Sequence, residues 1–140
     1  MGTVSSALMG RLSDGFGRRR VILLGVAIML VSALLTLSGN LYVVIAGVAL
    51  YTFGFFGAHS VASAWVGQRA AGERAQASSL YLLFYYAGSS VVGTIGGLFW
   101  DPYGWYGVVF MVVALLMVSL LLMGLLSLAV STQEDDGDRA

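Results

Sequence analysis

Four long stretches without a charged residue constrain the fold of this chain more than any other feature. Each contains 18 or more residues: Val21–Ser38, Leu41–Val66, Gln76–Trp100 and Gly107–Val130. A helix needs about 20 apolar residues to cross the hydrocarbon core of a bilayer. Charged residues make up only 10% of the chain, against about 25% in an ordinary soluble domain. The sequence therefore predicts an all-α membrane protein with four transmembrane helices.

The distribution of arginine predicts how these spans are oriented. Four spans place the segments before the first, between the second and third, and after the fourth on one side of the membrane. All seven basic residues are arginines in those segments: Arg11, Arg18, Arg19, Arg20, Arg69, Arg74 and Arg139. Short cytoplasmic segments carry an excess of basic residues. We therefore expect residues 10–20 and the C-terminus to be cytoplasmic.

The segments outside the spans have distinct predicted roles. Met1–Met9 is too short to cross a bilayer and is interpreted as the end of a preceding helix. Ser38–Asn40 is expected to form a brief outer turn from residues suited to positive φ. Asp, Pro and Gly occupy type I turn positions in Asp101–Gly104. Gly67–Ala75 is a predicted inner loop, and Ser131–Ala140 is a predicted disordered acidic tail.

The first and fourth spans differ in composition from the second and third. The outer pair is almost entirely aliphatic, whereas the middle pair holds most of the aromatic, polar and glycine residues. Small and polar groups are typical of helices that face protein or water, and uniformly apolar helices can face lipid. We expect the middle pair to lie inside. The candidate cavity-lining residues on the second span are Tyr51, Thr52, Phe55, Phe56, His59 and Ser63.

His59 is the one residue of the predicted spans that can titrate near neutral pH. An ionisable side chain within a membrane is a candidate functional residue. A neutral histidine that bonds to a neighbouring helix is an equally good interpretation. The spans contain no carboxylate, so an acid that couples transport to protons would have to lie outside this chain.

Small residues recur at four-residue intervals along the third span. Ser89, Gly93 and Gly97 follow Tyr85 at this spacing. Such a pattern gives a helix a flat face that another backbone can approach closely. The predicted role of Tyr85, Ser89, Gly93 and Gly97 is a helix-packing interface. The interface can be static or can rearrange during transport, and the two interpretations do not exclude each other.

The segment Gly10–Arg20, with the sequence GRLSDGFGRRR, combines turn glycines, one carboxylate and an arginine cluster. Gly10 and Gly17 are expected to permit a sharp reversal between antiparallel helices. Asp14 and Arg18 are spaced to form an ion pair on a helix. Alternatively, Asp14 can face the positive end of a neighbouring helix. The plain alternative is a positive-inside cluster beside turn glycines.

This segment resembles the cytoplasmic signature of the major facilitator superfamily of transporters. The family pattern is G-x-L-x-D-x-x-G-R-R, and the residues at its fixed positions here include Gly10, Asp14, Gly17, Arg18 and Arg19; Arg20 extends the cluster. The resemblance implies a signature that switches with conformation, and spans that correspond to the ninth to twelfth helices of a twelve-helix transporter. The other register, helices three to six, fits worse because Leu41–Val66 lacks the arginine usual in the fourth helix.

The resemblance also implies a function for the whole transporter. Such proteins move a small solute by alternating access between two six-helix bundles. The sequence looks most like the bacterial drug or metabolite efflux branches of the family, which makes efflux the candidate direction and a proton the candidate coupling ion. This chain is then the C-terminal part of an inner-membrane transporter and is not expected to transport alone. Its partners are the bilayer and the missing N-terminal half. No enzymatic activity, cofactor, metal or nucleic acid is implied. The rival hypotheses are a self-contained four-span scaffold and, less favoured, an intramembrane enzyme that uses His59.

Overall fold

The computed structural model describes residues 2–70 and 72–137, with side chains up to residue 125, and every regular element among them is an α-helix. Helix α1 spans Gly2–Phe16, α2 spans Arg18–Leu35, α3 spans Leu41–Arg69 and α4 spans Arg74–Gly137. Helix α3 contacts all three of the others. The predicted all-α fold is therefore confirmed for this part of the chain.

Helix α4 consists of two segments separated at Gly104. This residue has φ 58° and ψ −143°, which lies outside the helical region. We refer to residues 74–103 as the first segment and to residues 105–137 as the second. Gly96 faces the Met111 side chain, and Gly107 lies against the backbone carbonyl of Phe99. These contacts show that the two segments fold back on each other as an antiparallel hairpin.

The hairpin accounts for the length of α4. By length and composition, α3 and the Arg74–Leu125 part of α4 are apolar enough to cross a membrane. The 52 residues of the latter would extend about 78 Å as one straight helix, against a hydrocarbon core of about 30 Å. The reversal at Gly104 divides this length into two segments, each long enough to cross such a core. Helix α2 does not meet this criterion of length and composition, because three of its 18 residues are arginines in the first turn.

The reversal between α1 and α2 is shorter than the predicted loop over residues 10–20. Gly10 and Gly15 lie within α1, which continues to Phe16, and Arg18–Arg20 already belong to α2. Gly17 alone provides the reversal, with φ 85°. The Ser13 hydroxyl donates to the Gly10 carbonyl at 2.7 Å, and the Gly17 amide donates to the Ser13 carbonyl at 3.2 Å. Helical bonding therefore persists up to the turn.

The other connections also differ from their predicted form. Residues 36–40 separate α2 from α3, and none of them has a positive φ. Instead, Asn40 caps α3, because its side-chain oxygen accepts a hydrogen bond from the Tyr42 amide at 2.9 Å. The inner loop is reduced to residues around Gly72, which has φ 93°. The type I turn expected at Asp101–Gly104 is replaced by helix up to Tyr103 and the break at Gly104.

The acidic segment predicted as a disordered tail starts within a helix. Residues 131–137 belong to α4, which ends at Gly137. The remaining residues of that prediction, 138–140, lie outside the described part of the chain.

The core lies where α2 and α3 pack against each other with α1 beside them. A Cβ atom added at Gly54 would lie 2.8 Å from the Gly25 carbonyl oxygen, so the two backbones touch. Buried apolar side chains surround this contact: Met9, Val21, Ile22, Val26, Met29, Ala58, Val61 and Leu116. Buried hydroxyl groups in this core are paired. The Ser32 hydroxyl donates to the Ile28 carbonyl at 2.5 Å within α2, and the Ser5 hydroxyl of α1 donates to the Phe53 carbonyl of α3.

The observed exposure of the helices differs from the prediction that the second and third spans lie inside and the first and fourth outside. Helix α2, which was expected to face lipid, buries seven residues against its neighbours. The first segment of α4, which was expected to lie inside, is mostly exposed, with Leu83 at 62% and Leu98 at 69%. Composition shows which helices carry small and polar residues. It does not show whether the helix faces that carry them pack against other helices of this chain.

Candidate functional site

The reversal at Gly17 creates an open pocket at one end of the helices. The pocket has a volume of about 880 Å³ and is lined by residues from α1, α2 and α3: Ser13, Asp14, Phe16, Gly17, Arg18, Arg19, Arg20, Leu23 and Trp65. Five of the predicted signature residues therefore meet around one space. Gly10 does not line it, since it lies two turns earlier in α1.

The carboxylate of Asp14 and the guanidinium of Arg18 share this pocket. Among the described side chains, however, no hydrogen bond or ion pair to Asp14 is formed. Asp14 and Arg18 are four positions apart, but α1 ends at Phe16 and α2 begins at Arg18. The two side chains therefore do not share one helix face, as the predicted ion pair required. On α3, the Arg69 guanidinium carbon lies 5.2 Å from the Trp65 ring centroid, which is a cation–π contact.

A second group of residues joins α3 to the first segment of α4. The Tyr81 hydroxyl oxygen lies 3.0 Å from His59 Nδ1 and 3.5 Å from the His59 carbonyl oxygen. Whether the phenol donates to Nδ1 or accepts from it depends on the histidine tautomer. The predicted hydrogen bond from His59 to a neighbouring helix is therefore present, and Tyr81 is its partner.

Aromatic rings enclose the imidazole of His59. The Phe55 ring stacks on it with centroids 5.7 Å apart, and the Tyr85 ring is tilted at 4.7 Å. Phe56 contacts Phe55 edge to face at 5.3 Å but also covers Gly2 of α1. This group can offer ring faces, the phenol hydroxyls of Tyr81 and Tyr85 and one imidazole to a bound molecule or to a neighbouring helix.

Tyr51 and Thr52 belong to a different pocket. It has a volume of about 250 Å³ and lies between α2, α3 and the second segment of α4, which contributes Trp105 to its lining. The Trp105 indole N–H donates to the Thr36 carbonyl and hydroxyl oxygens, both at 3.2 Å. Ser63 is half-buried and joins neither group. The predicted cavity-lining residues are thus divided between two places.

The predicted packing residues of the third span also separate. Tyr85 packs on His59, whereas Ser89, Gly93 and Gly97 are exposed. No atom lies within 4 Å of the position that a Cβ would take at Gly93 or Gly97. A four-residue step advances about 40° around a helix, so Gly97 is rotated about 120° from Tyr85. The small-residue face therefore meets no other helix in the described part of the chain.

Sequence reasoning missed the partners Tyr81 and Trp105. A usable signal existed for Tyr81, because α3 and the first segment of α4 are antiparallel about a loop near residue 70. Residues equally far from that loop then face each other, as His59 and Tyr81 do, and as Phe55 and Tyr85 do. For Trp105 the sequence offered only an aromatic residue near a turn. No group of three potential metal ligands comes together among the described residues.

The comparisons with known proteins agree with these features. The chain matches the Major Facilitator Superfamily over residues 1–140. It is 50% identical over 139 residues to the MFS-type transporter YybF of Bacillus subtilis (strain 168), which covers 99% of this chain and 34% of YybF. It is 57% identical over 68 residues to the inner membrane transport protein YnfM of Escherichia coli (strain K12), covering 49% of this chain and 16% of YnfM.

A transporter of Buchnera aphidicola subsp. Schizaphis graminum (strain Sg) is 36% identical over 121 residues, which cover 86% of this chain and 29% of that protein. No solved structure matches the chain. The chain thus spans about a third of the length of the curated relatives that it matches. MFS transporters are membrane proteins, and nothing here indicates catalysis. Because the family match extends over every residue, the chain belongs to the Major Facilitator Superfamily.

Proposed function

We propose that this chain is the C-terminal part of a secondary active transporter that moves small solutes across the inner membrane by alternating access. The observation that carries the proposal is the signature at the Gly17 turn, where Asp14 and Arg18–Arg20 surround one open pocket. It occurs in a chain that matches the superfamily throughout, and its relatives are about three times as long.

Asp14 supports the proposal that this chain packs against the N-terminal half of a complete transporter. Its carboxylate is exposed and makes no hydrogen bond or ion pair to the described residues. A carboxylate is stabilised by the N-terminus of a neighbouring helix. We propose that Asp14 meets such a helix of the N-terminal half, with Gly10, Gly17 and Arg18–Arg20 forming the rest of a cytoplasmic switch. The arginine distribution supports the cytoplasmic placement.

The solute cavity is proposed to lie against the exposed side of the His59 group. Phe55, His59 and Tyr85 present ring faces there, and a proton on His59 is the candidate coupling ion. Phe56, which contacts Phe55, is a further candidate lining residue. Tyr51 and Thr52 lie in the separate pocket beside Trp105, and Ser63 joins neither place, so they are not part of this proposed cavity. Substrate sites of such transporters lie near the bilayer midplane between repeats, so the remaining wall would come from the other half.

The test compares this chain with the complete transporter. The DNA upstream of the Met1 codon is sequenced first, and an open frame with further apolar spans gives the longer protein. Both proteins are reconstituted in liposomes, and uptake of a panel of radiolabelled metabolites and cationic dyes is measured under a pH gradient. We expect saturable flux from the longer protein and none from the 140 residues. Saturable flux from this chain alone would contradict the proposal.

A scaffold that assembles through its membrane helices is the second candidate. The exposed face of Ser89, Gly93 and Gly97 favours it, because small residues allow two backbones to approach closely. Crosslinking in mild detergent distinguishes the two functions. A scaffold gives one discrete oligomer that Gly93→Ile abolishes and Gly88→Ile does not, whereas the transporter part gives no discrete oligomer.

A further inference from the structure

Three consecutive arginines open α2 at the edge of the pocket beside Gly17. Arg18, Arg19 and Arg20 line it together with a single acidic residue, Asp14. Three guanidinium groups against one carboxylate leave two net positive charges around a space of about 880 Å³. The pocket is therefore suited to an anion. Guanidinium groups bind phosphate oxygens with paired hydrogen bonds.

The first-turn backbone amides of α2, at the same pocket, also have no side chain that caps them. Gly17 is the N-cap of α2 and has no side chain to accept the hydrogen bonds of the first-turn amides. Such amides, at the positive end of the helix dipole, favour a phosphate group. They add to the attraction of the arginines, which lie in the same turn.

Apolar side chains lie directly beside these charges. Phe16 is 64% exposed although it closes α1, and Leu23 and Trp65 line the same pocket. The Arg69 guanidinium stacked on Trp65 adds a further positive charge at this rim. A soluble anion makes no use of exposed aromatic rings, whereas an amphiphile contacts them with its acyl chains. Tryptophan is also typical of the membrane–water interface.

We infer that this pocket binds the phosphate headgroup of an anionic phospholipid, with Arg18–Arg20 on the phosphate and Phe16 and Trp65 beside the acyl chains. Phosphatidylcholine carries no net charge, so the net positive charge of the pocket discriminates against it. This site is separate from the solute cavity, and it requires neither a solute nor a second half.

Trp65 reports on the site directly. With Trp100→Phe and Trp105→Phe in place, it is the remaining one of the three tryptophans. The full chain is reconstituted in vesicles of phosphatidylcholine with a minor fraction of phosphatidylglycerol, and one lipid at a time is brominated near the headgroup end of its acyl chains. Bromine quenches tryptophan fluorescence on contact. We expect stronger quenching by brominated phosphatidylglycerol than by brominated phosphatidylcholine at the same mole fraction.

The arginines should account for this preference. A basic residue at the surface contributes about 1 kcal/mol toward anionic lipid, which is about a fivefold preference per arginine. Arg19→Gln should therefore lower the preference about fivefold, and replacing Arg18, Arg19 and Arg20 by Gln should abolish it. Arg74→Gln is the matched control, because Arg74 lies on the same predicted side but does not line the pocket. Circular dichroism and blue-shifted Trp65 emission verify folding and insertion.

Several results would overturn the assignment. One is equal quenching by brominated phosphatidylglycerol and brominated phosphatidylcholine. Another is a preference for phosphatidylglycerol that survives the triple substitution. A third is quenching by brominated phosphatidylethanolamine that equals quenching by brominated phosphatidylglycerol. Equal quenching by phosphatidylglycerol and phosphatidylcholine together with a shift of Trp65 emission on addition of inorganic phosphate at constant ionic strength would show a site for free phosphate and not for lipid. Because the assay measures no transport, its failure is distinct from failure of the proposed function.

Discussion

Gly25 and Gly54 hold α2 and α3 in backbone contact. A Cβ at Gly25 would lie 2.9 Å from the Ala58 Cβ and 3.1 Å from the Gly54 carbonyl oxygen. Backbone and β-carbon atoms cannot rotate away as the end of a long side chain can. Any larger residue at these positions therefore forces the helices apart.

We expect Gly54→Ala to destabilise the chain by about 1–3 kcal/mol, as overpacking of a well-filled core does. Gly88→Ala is the control, because no atom lies within 4 Å of its Cβ position and alanine has the higher helix propensity. The measurement is loss of helical circular dichroism during titration with a denaturing detergent. Equal stability of the two variants would show that α2 and α3 do not touch here.

The hydroxyl of Tyr81 is a second group whose removal should measurably lower the stability of the chain. Tyr81→Phe removes its bond to His59 Nδ1, and hydrogen bonds between membrane helices contribute about 0.6 kcal/mol on average. We expect a stability loss of this size in the same titration. Tyr86→Phe should leave stability unchanged, since Tyr86 is 66% exposed. A larger loss in Tyr86→Phe than in Tyr81→Phe would contradict the assignment of the bond.

At the scale of elements, the hairpin of α4 depends on one backbone conformation. Gly104 has φ 58° and ψ −143°, a region that residues with a side chain avoid. Gly104→Val should therefore open the hairpin or lengthen the first segment. The chain contains no cysteine, so cysteines placed at Gly96 and Met111, which are in contact, report on this directly through a short thiol crosslinker.

We expect crosslinking between positions 96 and 111 in the otherwise unchanged chain and its loss with Gly104→Val. Gly88→Val, in the same helix but far from the reversal, is the control and should retain the crosslink. Full crosslinking in Gly104→Val would show that the reversal tolerates a side chain.

The elements were predictable from the sequence to different degrees. Uncharged runs located α3 and both segments of α4, because the bilayer excludes charge over a fixed thickness. They did not mark the helix ends, since α3 continues past the last apolar residue to Arg69. Residues 10–16 were misjudged because glycine permits a turn without requiring one. Contacts such as His59–Tyr81 and Thr36–Trp105 depend on how helices are rotated, which composition does not determine.

At the scale of the whole molecule, Asp14 distinguishes folding of this chain from function of the complete transporter. Because the described residues give its carboxylate no partner, Asp14→Asn should change the stability of the 140-residue chain by no more than about 0.5 kcal/mol. In the complete transporter the same change should abolish most transport at unchanged expression. Detergent titration of the chain and flux in proteoliposomes check the two expectations. A strongly destabilised chain would mean that Asp14 acts within this part of the protein.

The contact between α2 and α3 has a mechanical consequence. Side chains between helices act as compliant spacers, but at Gly25 and Gly54 there are none, so these two helices cannot slide or roll without collision. The first segment of α4, in contrast, packs on α3 through aromatic side chains. If part of this domain shifts relative to the rest, α2 and α3 should travel as one stiff pair while residues 74–103 yield.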